Sequence, residues 1–426
     1  MDFLNELKWR GLIHDITPEL EGHLAKGPVK GYIGFDPTAP SLTIGNYVQI
    51  MLLSFLQRGG HNPVVLMGGA TGRIGDPSGR DTERELKSAE ELDANIARQE
   101  AQFRRLLDFE GRSGNPAVLV NNYDFYRNMN VLDFLRDAGK YLTVNYMLAK
   151  ESVQRRIETG ISFTEFSYQL LQGYDFVLLH RTHGITLQMG GSDQYGNITA
   201  GIELARKIDG VKLYSVTSPL LTKADGSKFG KSATGNIWLD PTMTSPYRFY
   251  QFWINADDRD LPKFFRYFSF KSREEIEALE STESAQSLKR IFAEELTRRI
   301  HGDAEYAKVQ QVSELLFNPK ANADALRAMD ADTLAQVADE IPSPLISFDS
   351  LQQPGGVELV NLLQEAHLAT SKSEARRAIE NKSVTLNKVK VEHADARISA
   401  DDLLHGRYLM LEVGKKNKIL ARIERK

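Results

Sequence analysis

The chain has 426 residues, of which 41% are hydrophobic and 26% charged, a composition typical of globular proteins. This length corresponds to about three domains at ~150 residues each. The absence of cysteine excludes disulfides, thiol nucleophiles and cysteine-ligated metal sites, and no apolar stretch approaches the ~18 residues of a membrane-spanning helix. The first ten residues mix acidic and basic groups and do not form a secretory signal, so a cytoplasmic protein is expected.

Charge is unevenly distributed, although 53 basic and 57 acidic residues leave a net charge of only −4. Residues 356–426 contain 14 Lys and Arg against 10 Asp and Glu, a net of +4, so the rest of the chain carries −8. A basic C-terminal module on an acidic body suggests a segment that binds a polyanion. A solvated basic tail gives the same charge, and the charge alone does not decide between the two.

In chain order, the first half alternates between strands and helices. The predicted strands are 29–35, 63–67, 117–121, 185–189 and 212–216. The predicted helices between them are 45–57, 88–107, 131–138, 141–158, 163–179 and 193–207. Strands separated by helices predict a Rossmann-like parallel sheet with right-handed crossovers.

The second half shows three different patterns. Residues 240–318 lack strand signals and are predicted to be helical, and 319–355 collect prolines and acidic residues typical of a loosely packed connector with short helices. Residues 356–426 predict a compact unit with helices at 357–366 and 371–381 and strands at 384–386 and 408–413. The predicted fold is therefore an α/β parallel-sheet domain, an α-helical domain and a small α+β domain.

The first chemically informative segment follows the strand 29–35. The chain turns at residues 36–38 (Asp-Pro-Thr) and opens a helix at 43–46 (Thr-Ile-Gly-Asn). Ligands of open parallel sheets bind beyond the carboxyl ends of strands, and the free N–H groups of a helix start suit a phosphate. Gly45 would let a base approach the backbone closely. A helix start that is capped by Ser41 or Thr43 and binds no ligand explains the same residues.

Two further segments are rich in glycine or lysine. Residues 68–79 contain four glycines in the first eight positions, directly after a predicted strand, without a Gly-x-Gly-x-x-Gly fingerprint. Residues 228–232 (Lys-Phe-Gly-Lys-Ser), called the lysine segment below, place two lysines around a glycine and suit a polyphosphate. A structural loop and a flexible basic loop are the respective alternatives.

Two polar sets complete the motifs. Tyr168, Gln172 and Asp175 lie at i, i+4 and i+7 and so share one face of a predicted helix. In residues 188–194 a strand runs into two glycines, and Asp193 begins the next helix, where a carboxylate can reach a ribose hydroxyl. A solvated helix face and an N-cap aspartate are the alternatives.

In this order and spacing the motifs resemble those of class I aminoacyl-tRNA synthetases, and within them the bacterial tyrosyl-tRNA synthetases, over essentially the whole chain. The matching segments are 34–38, 68–78, 161–168, 190–194 and 228–232. The C-terminal unit resembles a small RNA-binding domain named after a ribosomal protein, with its basic helix at 371–377. The resemblance implies a ligase that converts tyrosine and ATP to tyrosyl-adenylate and pyrophosphate, and then transfers tyrosine to the 3′ end of tRNA(Tyr).

The resemblance also implies a domain plan. It comprises a catalytic domain at 1–222 with a dimerising insertion at about 122–165, the lysine segment and helical domain at 223–318, a connector at 319–355 and an RNA-binding domain at 356–426. Phe163 lies where the family forms its two-fold interface, so a homodimer is expected. ATP enters as a substrate with Mg²⁺, and neither a protein-ligated metal nor a membrane partner is expected.

Individual roles follow from the resemblance. The residues implied to bind tyrosine are Tyr32, Asp76, Tyr168, Gln172, Asp175, Gln188 and Gln194. Those implied to bind ATP are Gly34, Asp36, Gly45, Gly191, Asp193, Lys231 and Ser232. Those implied to act on the phosphates during activation are Thr38, Thr43, Asn46, Lys228 and Lys231. Those implied to contact tRNA are Arg80, Arg84, Lys372, Arg376, Arg377, Lys415 and Lys416.

One motif departs from the family pattern. Thr43-Ile44-Gly45-Asn46 stands where the family has His-x-Gly-His. Threonine is shorter than histidine, so we expect slower activation than in a relative with histidine. Two alternatives stay open: an RNA-binding protein whose activation chemistry has decayed, and a related enzyme for another amino acid such as tryptophan. Asp175 opposes the second, because an indole ring offers no hydroxyl.

Overall fold

The computed structural model contains two compact units. The first comprises Met1–Thr244 and Gln251–Ile300, and the second comprises Ser245–Tyr250 and His301–Lys426. The residues that the structure describes are 1–78, 82, 84–157, 160–227, 229–232, 235–318, 321–352, 355–414 and 417–424.

The first unit is built on a six-stranded sheet in the order β1-β6-β5-β2-β3-β4. Its strands are β1 (Asp15–Ile16), β2 (Lys30–Phe35), β3 (Asn62–Met67), β4 (Val118–Asn121), β5 (Leu187–Gly191) and β6 (Tyr214–Ser218). All neighbours pair in parallel except β1, which is antiparallel to β6. The predicted parallel sheet is confirmed, with β5 and β6 each beginning two residues later than expected.

The strand order reverses between β2 and β5, and this reversal locates the site. From β2 the sheet grows through β3 and β4 in one direction, and from β5 through β6 in the other. At such a switch point the connections leave on opposite faces and open a crevice beyond the carboxyl ends of the strands. Every residue of β5 and β6 is buried, as expected for parallel strands covered on both faces.

Helices cover the sheet and follow it in the chain. Those of the first unit are α1 (Phe3–Arg10), α2 (Leu20–Leu24), α3 (Ile44–Arg58), α4 (Ala89–Leu106), α5 (Tyr123–Tyr126), α6 (Val131–Asp137), α7 (Val144–Leu148), α8 (Glu151–Ile157), α9 (Phe163–His183), α10 (Tyr195–Asp209), α12 (Leu261–Phe268), α13 (Arg273–Thr282) and α14 (Ala285–His301). The chain passes between the units after Thr244, after Tyr250 within α11 (Pro246–Ile254), and after Ile300 at the end of α14. The single helix predicted at 141–158 is wrong, because the chain forms the two short helices α7 and α8 there.

The lysine segment ends in the first strand of a hairpin and is anchored by an aromatic cluster. The hairpin pairs β7 (Lys231–Ser232) with β8 (Gly235–Asn236) in antiparallel register. Phe229 is buried, with its ring centroid 5.3 Å from that of Phe264 and 5.6 Å from that of Phe268. Residues 240–318 are otherwise helical, as predicted.

The second unit has its own α+β core. Its strands are β9 (Leu345–Ser347), β10 (Val357–Glu358), β11 (Val384–Leu386), β12 (Val389–Lys390), β13 (Arg397–Ile398), β14 (Tyr408–Val413) and β15 (Asn417–Glu424). Its helices are α15 (Asp303–Phe317), α16 (Ala323–Arg327), α17 (Ala331–Glu340), α18 (Phe348–Leu351), α19 (Leu359–Glu365) and α20 (Lys372–Glu380). Five of the strands form a sheet in the order β12-β11-β14-β15-β9, and sequence analysis missed β15, its longest strand.

The stretch expected as a loosely packed connector is instead part of this core. Leu334 and Val337 of α17 are fully buried in a cluster with Met410 and Leu420 of the sheet. Strand β9, from the same stretch, pairs in parallel with β15. Pro342 and Pro344 lie between the packed elements α17 and β9, and Pro319 and Pro354 lie outside the described residues. The apolar spacing of α17 gives that helix a buried face.

Candidate active site

The site begins with two side chains on adjacent strands at the switch point. Tyr32 of β2 and Gln188 of β5 are register partners, and both residues are buried. The Tyr32 hydroxyl and the Gln188 Oε1 have no hydrogen-bond partner among the residues that the structure describes. A buried polar atom without a partner costs free energy, about 1–3 kcal/mol each. Two such atoms side by side indicate a place for a polar ligand.

Asp175 of α9 forms the charged end of this pocket. Its side chain is buried, its Oδ2 accepts a hydrogen bond from Asn122 Nδ2 at 3.0 Å, and its Oδ1 accepts one from the Tyr126 hydroxyl at 2.8 Å. Burial raises the pKa of Asp175 to about 7, and the two hydrogen bonds oppose that rise. Burial also raises the pKa of Tyr32, with a further contribution from the charge of Asp175. Asp175 is therefore near enough to the Tyr32 hydroxyl for its charge to act on it.

A second polar cluster surrounds Asp76, which is buried after the glycine-rich turn. Asp76 Oδ2 accepts a hydrogen bond from Gln194 Nε2 at 2.7 Å, and Gln194 Oε1 accepts one from Gln172 Nε2 at 3.2 Å. Asn197 of α10 donates to Gln172 Oε1 at 2.9 Å and fixes the orientation of that amide. The predicted residues Asp76, Gln172 and Gln194 are thus brought together.

Asp36 joins these clusters to the end of β2. Its carboxylate accepts hydrogen bonds from Thr71 Oγ1 at 2.7 Å and from the Tyr168 hydroxyl at 2.9 Å. Burial raises the pKa of Asp36 to about 6, and the negative charge of Asp76 adds to the rise. The positive charge of Arg84 opposes it.

A cavity of about 380 Å³ opens beyond Asp36. Thr38, Thr43, Asn46 and Arg84 are among the residues that line it. Four groups that the sequence assigned to phosphate or tRNA contacts therefore share one cavity. In the described part of the chain, no group of three or more His, Asp or Glu could hold a metal ion.

Thr43 and Asn46 form a capping box at the start of α3. The Thr43 hydroxyl donates to Asn46 Oδ1 at 2.7 Å, the Thr43 amide donates to the same oxygen at 2.9 Å, and Asn46 N–H donates to Thr43 Oγ1 at 3.3 Å. The capping role that sequence analysis gave as the alternative for Thr43 is therefore present. It does not exclude a phosphate contact, because the same helix start lines the cavity.

The departure at Thr43 gives a testable prediction. We expect Thr43→His to raise the rate of amino-acid activation, because the longer imidazole reaches further into the cavity. The change should also cost about 1 kcal/mol of stability, because it removes the helix cap. Activation rates and thermal unfolding of Thr43→His should be compared with those of Thr43→Ala, which removes the cap without adding a donor. An unchanged or lower activation rate in Thr43→His would refute the prediction.

The backbone of the lysine segment and its hairpin is attached to the start of α3. Ile44 N–H donates to the Ile237 carbonyl at 2.9 Å, and Ile237 N–H donates to the Gly230 carbonyl at 3.1 Å. Gly230 has a φ of +86°, and a Cβ there would lie 3.2 Å from Ile44 Cγ2. Lys228 lies outside the described residues, and only the backbone is described for Lys231 and Ser232. The position of Lys231 in β7 thus lies next to the helix start that lines the cavity.

Glycines lie at the carboxyl ends of β2 and β5 and at the start of α3. A Cβ on Gly191 would collide with Asp193 Oδ1 and lie 3.5 Å from the side chain of Leu220. Leu220 is 57% exposed, an unusual position for a leucine beside a polar site. Gly191 is buried, whereas Gly34 and Gly45 are exposed.

Three of the residues predicted to contact tRNA lie on helix α20 of the second unit. Lys372, Arg376 and Arg377 of α20 are exposed, while Ala375 and Ile379 of the same helix are buried in the core. Arg80, Lys415 and Lys416, also predicted to contact tRNA, lie outside the described residues. None of the helices in the described ranges has an apolar stretch long enough to cross a membrane.

Sequence analysis missed several members of the site: Asn122, Tyr126, Thr71, Asn197 and Leu220. Asn122 follows β4 directly, so its place at the carboxyl end of a predicted strand was a usable signal. Nothing in the sequence marks Tyr126, because α5 is a four-residue helix without periodicity. The roles of the predicted residues themselves stay predictions.

Comparison with known proteins gives matches over most of the chain. Residues 24–318 match the family described as class I tRNA synthetases (W and Y), and residues 333–421 match a C-terminal domain of tyrosine–tRNA ligases. The tyrosine–tRNA ligases of Cytophaga hutchinsonii and Bacteroides thetaiotaomicron are each 48% identical to the chain, over 99% of both chains. A C-terminally truncated mitochondrial tyrosyl-tRNA synthetase from Aspergillus nidulans superposes with a TM-score of 0.66 at 31% identity, covering 74% of this chain and 94% of the other.

Proposed function

The chain belongs to the tyrosine–tRNA ligases within the class I tRNA synthetases, and from that premise we propose which of its residues carry each step of the reaction. As a member of this family it is an aminoacyl-tRNA ligase that uses ATP to join tyrosine to tRNA in protein synthesis. The observation that carries the residue assignment is the pocket of Tyr32 and Asp175. A phenolic hydroxyl both donates and accepts, so it would donate to the Asp175 carboxylate and accept from the unpartnered Tyr32 hydroxyl.

The other end of tyrosine would occupy the Asp76 cluster. The ammonium group has three N–H donors. They would donate hydrogen bonds to Asp76, Tyr168 and Gln172. Gln194 and Gln188 would lie beside the carboxylate end of the substrate. The proposal is supported by the hydrogen bonds that already join Asp76 to Gln194 and Gln194 to Gln172.

Activation is a phosphoryl-centre displacement that needs positioning and charge stabilisation more than covalent help. A carboxylate oxygen of tyrosine attacks the α-phosphorus of ATP, and the bond to the bridging oxygen breaks to release pyrophosphate. Thr38, Thr43 and Asn46 would donate to the phosphates from one wall of the cavity. Lys228 and Lys231 would neutralise the charge that develops on the leaving group.

The nucleotide would bind along the carboxyl ends of β2 and β5. Gly34, Gly45 and Gly191 would allow the base and ribose to approach the backbone, with Asp193 on the ribose hydroxyls and Leu220 against the base. Asp36 would lie beside the adenylate and Ser232 beside the phosphates. Mg²⁺ would enter bound to the phosphates of ATP and reduce their charge, and no tightly bound, protein-ligated metal is proposed.

The second step is transfer to tRNA. A hydroxyl of the terminal ribose attacks the carbonyl carbon of tyrosyl-adenylate, and AMP leaves. Arg80 and Arg84 would contact the acceptor end, and the RNA-binding module at 356–426 would hold the rest of the tRNA through Lys372, Arg376, Arg377, Lys415 and Lys416.

The other proposed boundaries are 1–222 for the catalytic domain, 223–318 for the lysine segment and helical domain, and 319–355 for the stretch before the module. Because tRNA charging serves translation, we place the protein in the cytoplasm.

We also propose a homodimer formed by the insertion at about 122–165. Phe163 is 77% exposed at the start of α9, and several more apolar side chains of the insertion are at least 48% exposed. These are Val131, Leu132, Leu135, Val144 and Ile157. Such a concentration of exposed apolar side chains in one segment is typical of a protein interface.

A two-step assay tests the proposed function. Enzyme, ATP and tyrosine without tRNA should form one tyrosyl-adenylate per active site. This adenylate stays bound and is retained with the protein on a filter. Addition of tRNA should then discharge the adenylate and yield charged tRNA in equal amount. Adenylate that forms but never discharges would contradict the transfer step, and absence of adenylate would contradict the activation step.

The basic helix α20 gives a prediction that separates the two steps. Replacing Lys372, Arg376 and Arg377 together by glutamine is expected to lower kcat/KM for tRNA charging by about 10- to 100-fold, because phosphate contacts dominate nucleic-acid affinity. Tyrosyl-adenylate formation should stay unchanged. The slope of log affinity against log salt should fall by up to about 1 for each lost contact.

The matched control for this variant removes three exposed arginines of α4 in the first unit. They are Arg98, Arg104 and Arg105. This control changes the net charge by the same amount and should leave charging and its salt dependence near the wild-type values. Equal losses in both variants would show that total charge, and not α20, governs tRNA binding.

A further inference from the structure

The Tyr126 hydroxyl lies between two acceptors in the tyrosine pocket. It is 2.8 Å from Asp175 Oδ1 and 2.9 Å from the main-chain carbonyl oxygen of Leu171, one turn earlier in α9. Packing around the ring holds it there: the Tyr126 ring meets that of Phe134 edge-on at 6.1 Å between centroids. A phenolic hydroxyl has one proton, so it donates to only one of these acceptors at a time.

The charge of Asp175 decides which acceptor receives the proton. When Asp175 is ionised, donation to Oδ1 is favoured, because hydrogen bonds to charged acceptors are about twice as strong as neutral ones. When Asp175 is protonated, its own O–H can donate to the Tyr126 oxygen, and the Tyr126 proton turns to the Leu171 carbonyl. The hydroxyl is therefore satisfied in both states, but only the ionised state gains a charge-assisted hydrogen bond.

Neutral donors, not cations, hold the Asp175 carboxylate. Asn122 Nδ2 from the end of β4 and the Tyr126 hydroxyl from α5 donate to it. The Tyr32 hydroxyl faces it from β2, and the negative charge of Asp36 disfavours its ionisation. No Lys or Arg of the described residues contributes to the ionisation of Asp175. The two donors lower the pKa of Asp175, whereas burial and the charge of Asp36 raise it. The loss of either donor therefore has a large effect on that pKa.

We propose that Tyr126 is a specificity-determining positioning residue, which holds Asp175 as a pure acceptor so that the pocket demands a substrate side chain ending in a hydrogen-bond donor. The inference rests on the proposed placement of the tyrosine phenol between Tyr32 and Asp175. An ionised Asp175 has no proton to give and must be paired when its pocket is filled. A protonated Asp175 tolerates an apolar ring more easily, because a buried neutral carboxyl costs far less than a buried charge.

Tyr126→Phe tests the proposal through the pH dependence of tyrosine activation. In wild type, KM for tyrosine should rise as the pH falls through about 7, where Asp175 takes up a proton. In the variant this midpoint should move up by about one pH unit, and the preference for tyrosine over phenylalanine at pH 7 should fall about tenfold. At pH 9 the two enzymes should converge, and kcat should differ less than about threefold, since Tyr126 touches no reacting atom.

The matched control is Tyr267→Phe, which removes a hydroxyl that donates to the Gly11 carbonyl at 3.1 Å on another part of the first unit. It should leave the midpoint and the amino-acid preference unchanged. Thermal unfolding of both variants and calorimetric tyrosine binding at pH 6 and pH 9 separate a folding defect from a change in the pocket. If Tyr126→Phe binds tyrosine with the wild-type midpoint and preference, the inference is overturned while the proposed function stands. If wild type itself shows no tyrosine-dependent adenylate formation, the proposed function fails first.

Discussion

Replacing Asp175 by asparagine is expected to lower kcat/KM for tyrosine in the activation step by about 10³-fold or more. Asparagine keeps the shape but turns part of the acceptor into a donor, so the amide would face Asn122 Nδ2 and the Tyr126 hydroxyl with too few acceptors. A site built around a substrate hydroxyl rejects analogues without it by about 10⁴–10⁵. Tyrosyl-tRNA synthetases are themselves the reference case for that figure, so it is taken from the family and not from this chain's geometry.

Phenylalanine activation provides the internal comparison for Asp175→Asn. Because phenylalanine makes no hydrogen bond to Asp175, its low rate should change little, and the preference for tyrosine should collapse. Asp209→Asn is the matched control, since Asp209 pairs with Arg181 at 2.6 Å on the exposed end of α10. Steady-state kinetics with both amino acids on both variants measure the effect. A loss of less than tenfold for tyrosine in Asp175→Asn would contradict the assignment.

Asp175→Asn lowers activity, but at neutral pH it is expected to raise the unfolding free energy relative to wild type. Burial raises the pKa of Asp175 in the folded state to about 7, above its unfolded value of 3.8. The stabilising contribution of proton uptake is therefore fully present below pH 3.8 and is lost as the pH rises through about 7. Relative to Asp175→Asn, the wild-type unfolding free energy should fall between pH 4 and pH 8, at about 1.4 kcal/mol per pKa unit. If the difference in unfolding free energy between wild type and Asp175→Asn does not depend on pH, burial does not raise the pKa of Asp175 in the folded state.

Replacing Lys231 by alanine is expected to lower the rate of tyrosyl-adenylate formation by about 10²–10³-fold with KM for tyrosine nearly unchanged. The backbone hydrogen bonds that join Ile44, Ile237 and Gly230 bring β7 next to the cavity lined by Thr43 and Asn46. A cation there stabilises negative charge that develops only as pyrophosphate leaves, so its loss affects the rate more than substrate binding.

The control for Lys231→Ala is Lys263→Ala. Lys263 is a half-buried lysine of α12 whose Nζ donates to the Thr222 carbonyl at 3.3 Å and which does not line the cavity, so the substitution removes the same charge away from the site. Pre-steady-state measurement of adenylate formation distinguishes the rate from tyrosine binding. A large rise in KM for tyrosine with an unchanged rate would place Lys231 in the amino-acid pocket instead and would refute its proposed role.

The sequence predicted the parallel sheet well because its strands are short apolar runs bounded by glycine and polar residues, as in β3 and β5. Tyr32, Asp76, Gln172 and Asp175 were accessible to sequence reasoning because strand ends and helix periodicity fix where such side chains point. Tyr126 was not, because its place depends on how the short helices after β4 pack against α9. Packing between elements leaves no local mark in the sequence.

The C-terminal half shows the same limit. The acidic and proline-rich composition of 319–355 masked the buried face of α17, whose partners Met410 and Leu420 lie about 80 residues further along the chain. Strand β15 was missed because its polar residues, such as Lys418 and Arg422, obscure the central buried run of Ile419, Leu420 and Ala421. In both cases the deciding interaction is long-range.

Tyrosine-dependent exchange of labelled pyrophosphate into ATP measures activation and amino-acid preference together, with phenylalanine and tryptophan as parallel substrates. We expect rapid exchange with tyrosine and rates lower by at least about 10⁴-fold with the other two, because only tyrosine pairs both Tyr32 and Asp175. Exchange with tryptophan in place of tyrosine would contradict the pocket assignment. No exchange with any amino acid, despite tight tRNA binding, would show instead that the chain is an RNA-binding protein whose activation site has decayed.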